Sequence, residues 1–510
     1  MGPILNISAF SIDPEGSEPV YRQIAVEIRR SILDGRMAAG SRLPATRDLA
    51  QTLGVNRNTV VAAFDTLANE GWVTSQTGRG TFVTERRPAP ASPPAVADGE
   101  LLRSGFSRTA ESASVGGLQS IYRLAIQEGG ISFVGSYPAA DLLPVSSFAE
   151  SLSTVLAENG AAVLGYGPTA GSPQLRETIA KKMRDDGSVI ESDSILITSG
   201  AQQAIELVFR TFVERGDSVV IEQPTYTGAI SVLNALGARI VGVGVDHEGL
   251  RPDLLAIALE RHRPKLLYVQ PTFHNPTAAV MSAERRAQVV ELCRRFNCLI
   301  VEDDWAGELR FEGEAEPTLH ALDPTNVIYL STFSKKLMPG IRIGWVAAPD
   351  TVLEKLVELK RLQDCGSSPL IQAALDHFLR AGGLTKHLEK AIPAYRARRD
   401  SICEALATHL PKEAVFRRPI GGMFVWVTLP VGFDGSGVAA EAQQRGVLYS
   451  RGDLFHGDGS GQNSFRLTFS AVDVCDIERG IAVLGELIHE RWLRGPSSDL
   501  SGTTESMPIF

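Results

Sequence analysis

Two stretches of the sequence hold side chains whose types and spacing suit covalent chemistry on an amine. In STFSKKLMPGIRIGW, Lys335 follows Ser334 at the end of the strand-like run VIYLSTF, and Arg342 comes seven residues later, beyond Pro339-Gly340. A lysine held in a constrained, partly desolvated place loses proton affinity and can form a Schiff base. An arginine close by can grip a phosphate in bidentate fashion. The alternative is a solvated loop lysine. In LIVEDDWAGELRF, an apolar run puts Glu302 and Asp303 at the C-terminal end of a strand, where open α/β sheets bind ligands. A carboxylate there can keep a pyridine nitrogen protonated, so that the ring withdraws electrons. A solvated acidic loop and a metal site are the alternatives. No histidine follows at ligand spacing, which argues against the metal.

Three further runs end in the same way. LLYVQPTFHNPTAAVMS leads into Asn275-Pro276-Thr277, where Asn275 can hydrogen-bond a phenolic oxygen or simply turn the chain. In ILITSGAQQAIELVF, Gly200 precedes a helix opening at Ala201-Gln202, whose backbone N–H groups can cradle a phosphate. SVVIEQPTYTGA places Tyr226 just past a strand, where its ring can stack on a flat ligand. The elements that must position these residues are alternating strands and helices, which predict an α/β body over residues 131–494.

A different pattern precedes that body. Tyr21, Ile24, Ile28, Ile32 and Leu33 lie at helical spacing, with Gly35 and Gly40 after them. Thr46 is placed to cap a second short helix carrying Leu49, Ala50 and Leu53, and Gly54 breaks it. Asn56 is placed to cap a third helix with Val60, Ala63, Phe64 and Leu67 on its buried stripe. WVTSQTGRGTFV then alternates around Gly78-Arg79-Gly80, a hairpin. Three short helices and a hairpin have helix-turn-helix geometry with a wing. Arg57, Asn58 and Thr59 open the third helix with types that reach phosphates and base edges, Arg47 can touch the backbone, and Arg79 can enter a minor groove. Between the two patterns, residues 85–130 open with ERRPAPASPPAVADGE and read as a linker, with one short amphipathic piece around Ile121–Ile126. Residues 495–510 read as a disordered tail.

These motifs resemble known families. L-P-x-x-R-x-L-A, L-G-V-x-R-x-T-V, E-G and G-x-G-T-F, within Pro19–Val83, are similar to the winged helix-turn-helix of GntR-type regulators. The resemblance implies an α+β DNA-binding domain over 1–84, with Arg47, Arg57 and Thr59 on a double-stranded operator and the wing glycines Gly78 and Gly80 in the minor groove. The motifs of 131–494 together resemble fold-type I aminotransferases, which implies pyridoxal 5′-phosphate, a mostly parallel sheet and a smaller C-terminal α+β subdomain. On that resemblance Lys335, in S-K-x-L-x-P-G-x-R-x-G, is the Schiff-base lysine, and Lys336 is out of register. Ser334, Arg342, Gly200, Ala201 and Gln202 hold the phosphate, Asp303 the pyridine nitrogen and Asn275 the ring hydroxyl, while Tyr226 stacks. Arg466, in NSFRLTFS, takes a substrate carboxylate, and Tyr166, in GYGPTAGSPQLR, reaches the site of a second subunit. Relatives carry a tyrosine two or three residues after the aspartate, where this chain has Trp305 and Ala306. In this order the two halves resemble the MocR subfamily of bacterial regulators. That implies a cytoplasmic homodimer that binds DNA and senses an amine, an amino acid or the cofactor, with transaminase activity as the alternative.

Composition sets the bounds. A chain of 510 residues, 44% hydrophobic and 21% charged, is not globally disordered and suffices for several cores. No apolar run reaches the roughly 18–20 residues of a membrane helix, and the N-terminus lacks the pattern of a secretory signal. Five cysteines without a C-x-x-C pair argue against a disulfide framework or a zinc site and fit a reducing compartment. The formal charge is −9, but residues 1–84 hold eight arginines and eight acids, so the acidity lies wholly beyond them.

Overall fold

The computed structural model describes residues 10, 12–13, 19–34, 36–76, 79–84, 130–433 and 435–494. Residues 85–129 of the predicted linker, with its amphipathic piece, the tail and Gly78 lie outside the described residues. The described elements fall into two compact units.

The first unit holds helices α1 (Val20–Leu33), α2 (Thr46–Leu53) and α3 (Arg57–Asn69), then strands β1 (Val73–Gln76) and β2 (Gly80–Val83). The apolar stripes read from the sequence meet in one core: Ile24 and Ile28 of α1, Leu49 of α2, and Val60, Phe64 and Leu67 of α3 are buried together. β1 and β2 pair antiparallel with Val73 opposite Val83. Gly54 ends α2 in the left-handed region (φ 67°), so that the Val55 N–H reaches back to Ala50 O and the chain turns sharply into α3. Asn56 caps α3 as expected, its side chain accepting from Asn58 N at 2.9 Å. Thr46 does not cap α2. The cap position is Ala45, whose backbone is extended (φ −61°, ψ 144°), and Thr46 is already helical. The segment before α2 also joins the wing: Leu43 N donates to Thr81 O and Val83 N to Ser41 O. That contact sets Arg42 beside Gly80, where a Cβ would lie 2.7 Å from its guanidinium Nε.

The second unit is built on an eight-stranded sheet. In chain order, after β3 (Ile131–Ser132), its strands are β4 (Ile195–Thr198), β5 (Ser218–Gln223), β6 (Arg239–Asp246), β7 (Gly249–Leu250), β8 (Leu266–Val269), β9 (Leu299–Asp304), β10 (Val327–Thr332) and β11 (Gly344–Ala347). Their spatial order is β4-β11-β10-β9-β8-β5-β6-β7. β10, β9, β8, β5 and β6 are mutually parallel. β11 runs antiparallel to both β10 and β4, so β4 is parallel to the rest. Helices cover both faces, which is why β4, β8 and β10 are buried along their whole length and read as unbroken apolar runs. The carboxyl ends of β4, β5, β8, β9 and β10 therefore emerge along one edge.

A smaller four-stranded antiparallel sheet follows, of β12 (Val415–Phe416), β13 (Phe424–Thr428), β15 (Ser450–Arg451) and β16 (Ser464–Thr468), in the order β12-β13-β16-β15. It shares a core with the helices Gly383–His409 and Val474–Arg494. A short parallel pair, β3 with β14 (Val447–Leu448), ties residues 131–132 to this part. No described helix is long and apolar enough to cross a membrane.

Candidate functional site

Lys335, Asp303, Asn275, Tyr226, Ala201 and Arg466 line one cavity of about 110 Å³, together with Trp305, Phe424 and Phe455. Residues more than 250 positions apart thus converge where the strand ends of the large sheet meet the smaller one.

Lys335 follows β10. Its Nζ donates to Ser136 O, and burial, helped by the charges of Arg466 and Arg342, brings its pKa down to about 8. Neighbouring Lys336 is fixed elsewhere. Its Nζ lies 2.7 and 2.8 Å from the two carboxylate oxygens of Glu308, and 4.9 Å from the centre of the Trp345 ring. Glu308 also meets Lys182 at 2.9 Å. Burial alone would raise its pKa, but the two lysines hold it well below the usual carboxylate range. One lysine therefore enters the cavity and the other is neutralised beneath it.

Strand alternation sorts the acids of β9. Glu302 accepts the backbone N–H groups of Leu319 and His320, and Asp304 accepts the Tyr329 hydroxyl. Asp303 faces the cavity. Its Oδ2 accepts from Tyr268 Oη at 2.6 Å and Gln270 Nε2 at 3.0 Å, whereas its buried Oδ1 has no partner among the described residues. Burial outweighs those two donors and raises its pKa to about 6. An oxygen left without a donor at such depth is costly unless a ligand completes it.

Arg466, on β16, lies 4.5 and 4.9 Å from the ring centres of Phe424 and Phe455. It donates to Asn275 Oδ1 and to Val134 O, both at 2.9 Å. Asn275 is thus engaged through its side-chain oxygen. Tyr226 donates to Gln202 Oε1 at 3.0 Å. Gly200 has φ 89° and ψ 173°, a region open essentially to glycine, and a Cβ there would lie 2.7 Å from Arg342 Nη2. The same Nη2 donates to Ser199 O at 2.8 Å, and the helix Ala201–Phe212 starts at this point. Ser334 is buried and bonded to Thr332 Oγ1. Neither Arg342 nor Ser334 lines the cavity itself; Ser334 is bonded to Thr332, which does, and Arg342 to Ser199, two residues before the lining Ala201. Tyr166 stands apart, 99% exposed. The indole N–H of Trp305 is spent on Phe273 O at 3.1 Å, and Tyr226 is the one tyrosine lining the cavity among the described residues.

Motif spacing did not single out Gln270, Tyr268, Phe424 or Phe455. The first two end an apolar strand and look like strand residues, and the two phenylalanines come from distant segments that only the fold brings in.

In the first unit, Arg47, Arg57, Asn58 and Arg79 are exposed and Thr59 is half-buried at the start of α3. The unit's salt bridges among described residues use Arg29 and Arg36, not these arginines. Arg42 joins them as a further exposed cation next to the wing.

Comparison with known proteins agrees with both halves. Residues 134–484 match the family of class I and II aminotransferases, and residues 20–83 match bacterial regulatory proteins of the gntR family. The chain is 33% identical to the uncharacterised HTH-type transcriptional regulator YisV of Bacillus subtilis, over 94% of this chain and 98% of that protein. It is 30% identical to the probable rhizopine catabolism regulatory protein MocR of Rhizobium meliloti, over 92% and 94%. The large unit resembles the crystal structure of the multiple substrate aminotransferase of Thermococcus profundus, with a TM-score of 0.74 and 35% identity over 77% of this chain and 99% of that one. The chain belongs to the MocR-type regulators, in which a gntR-family winged helix is joined to a class I and II aminotransferase domain.

Proposed function

We propose that the protein is a pyridoxal-phosphate-binding transcriptional regulator that holds a double-stranded DNA operator with its winged helix and responds to an amine or amino acid at the cavity. One observation carries the cofactor half of this reading: the buried Asp303 carries one saturated oxygen and one open oxygen, in the same cavity as a lysine of lowered pKa. That pair suits a protonated pyridine at one end of the ligand and an amine-reactive carbon at the other. The bare backbone at Gly200, with Arg342 against it and a helix start beyond, suits the phosphate.

Lys335 would hold the cofactor through its amine, Asp303 its ring nitrogen, Asn275 its ring oxygen and Tyr226 its ring face. Ser334, Arg342, Gly200, Ala201 and Gln202 would hold its phosphate. The cofactor, when bound, supplies an electrophilic carbon that captures amines and a ring that withdraws electrons. The chain does the rest. Its lowered proton affinity leaves a share of Lys335 as free amine at neutral pH, able to take up a proton or give it back as an incoming amine exchanges. Arg466 offers a fixed charge to a carboxylate, and Phe424, Phe455 and Trp305 exclude water around it. The effector shifts a population between domain arrangements with different affinity for DNA. The exposed Tyr166 supports a homodimer in which that residue serves the partner's site, and a DNA-binding regulator domain supports a cytoplasmic location.

A transaminase is the second reading, favoured by the retained Lys335 and by the similarity to an aminotransferase over the whole large unit. Multiple-turnover half-reactions with amino acids and 2-oxoacids, run beside gel-shift assays on the chain's own upstream DNA, separate the two. A regulator shifts the DNA, responds to an effector and turns over slowly. Metabolic rates without a DNA shift would overturn it.

A further inference from the structure

We infer that Gln270 is a positioning residue that sets Asp303 and Asn275 relative to each other, so that one side chain spaces the two polar groups meant for a pyridine ring; the inference rests on the cofactor reading above. Gln270 follows β8 at the sheet's carboxyl edge. Its Nε2 donates to Asp303 Oδ2 at 3.0 Å, and its Oε1 accepts the backbone N–H of Asn275 at 3.2 Å. An amide used at both ends cannot flip without losing both bonds.

The hub is itself anchored. The Gln270 backbone N–H donates to Glu222 Oε2 at 2.8 Å, from the neighbouring strand β5. Glu222 lies 3.3 Å from His274 Nε2, and His274 Nδ1 lies 2.7 Å from Thr277 Oγ1. Glu222 and His274 are both fully buried. Gln270 thus ties the end of β8 to β5 through Glu222, to β9 through Asp303 and to the loop through Asn275, while His274 Nε2 packs near Glu222 without a hydrogen bond among the described residues.

Tyr268 gives Asp303 a second donor, whereas the bond to the Asn275 backbone comes from Gln270. With Tyr268 alone the carboxylate keeps a partner while its spacing from Asn275 is lost. Gln270 supplies the spacing. Met at 270 fills a similar volume with no donor or acceptor for either neighbour. Glu keeps the shape and the acceptor for Asn275 N–H but faces Asp303 with a second carboxylate.

The test uses the full-length protein and pyridoxal 5′-phosphate, with Gln270→Met, Gln270→Glu and Tyr268→Phe. The readouts are the dissociation constant of the cofactor by absorbance titration and the position of its visible band, which reports the ring's electronic state and which a merely structural residue would leave unmoved. Gln270→Met is expected to weaken binding by about tenfold or more and to move the band. Gln270→Glu is expected to move the band with the fold intact, and Tyr268→Phe to weaken binding less than Gln270→Met. Binding within about twofold of wild type and an unmoved band in both Gln270 variants would overturn the inference. So would an equal or larger loss in Tyr268→Phe, since Asp303 alone would then matter. A wild-type chain that shows no visible band defeats the cofactor reading itself.

Discussion

Removing the charge of Glu308 should cost more than removing the charge of Lys336, although the two form one ion pair. The Lys336 side chain is 1% exposed, against 16% for Glu308 and 29% for Lys182. Glu308→Gln leaves Lys336 buried without a counter-charge, with one neutral amide oxygen, Ser331 Oγ at 3.1 Å and the Phe333 and Trp345 rings around it, and with Lys182 as a second cation nearby. Breaking a buried pair from one side typically costs about 3–5 kcal/mol; the ring contacts are the same before and after, and the amide oxygen kept at 308 places the cost at the lower end of that range. A net loss near 3 kcal/mol follows. Lys336→Met removes the buried cation, nearly conserves volume and leaves Glu308 paired with Lys182, so its cost should stay below about 1.5 kcal/mol. Four of the five tryptophans lie in the large unit, so urea unfolding followed by intrinsic fluorescence reads this unit directly. If Lys336→Met proved as destabilising as Glu308→Gln, the account of Glu308 as the centre of a two-lysine clamp would be wrong.

Three shorter tests bear on the cavity. Gly200→Ala forces a side chain into a backbone region that costs about 1–3 kcal/mol and pushes on Arg342; thermal stability and cofactor affinity should both fall, and a variant with wild-type values in both would remove Gly200 from the cradle. Lys335→Ala should abolish the visible band of the reconstituted protein, and an unchanged spectrum would reject that lysine. The rate of cofactor capture should rise with pH and level off above about 8, because the neutral amine is the reactive form and burial has lowered its pKa; an inflection near the ordinary lysine value of about 10.4 would show Lys335 to be solvated.

The strand-end motifs were legible because parallel strands buried on both faces leave unbroken apolar runs, and the residues after them must sit at the ligand edge. Lys335, Asp303 and Asn275 were singled out in that way, and the fold brings the three into one cavity. The three helices and hairpin of the first unit were legible from a 3.6-residue period followed by alternation. What spacing could not give was long-range partnership. The clamp of Glu308 by Lys182 and Lys336 joins residues from separate elements, as do Arg466 with Asn275 and Gln270 with Asp303. Thr46 misled because a threonine before an apolar stripe suits a cap in composition, while the extended backbone of Ala45 takes the cap position one residue earlier. The bridge from Arg42 to the wing at Phe82 was invisible because Arg42 and Leu43 carry no strand period of their own.

The distribution of charge leads to a prediction about salt. The whole chain is acidic, yet its first 84 residues are neutral and expose Arg42, Arg47, Arg57 and Arg79 near α2, α3 and the wing. If two chains bind one operator and all four arginines of each met phosphates, about eight counterions would be released, giving a slope of log K against log salt near −7. An arginine that reads a base edge leaves that slope nearly unchanged on removal but lowers the preference for operator over random DNA by about 1–3 kcal/mol per contact. Arg57 opens α3 and Arg79 stands at the wing, so the two substitutions should part: Arg57→Ala should mainly erase preference, and Arg42→Ala and Arg79→Ala should mainly flatten the slope. Titrations of the full-length protein by fluorescence anisotropy, at several salt concentrations on operator and scrambled duplexes, measure both quantities. An Arg57→Ala protein with undiminished preference would move the reading residue away from the start of α3. A wild-type slope much steeper than −7 would require cations of the acidic unit to touch DNA as well.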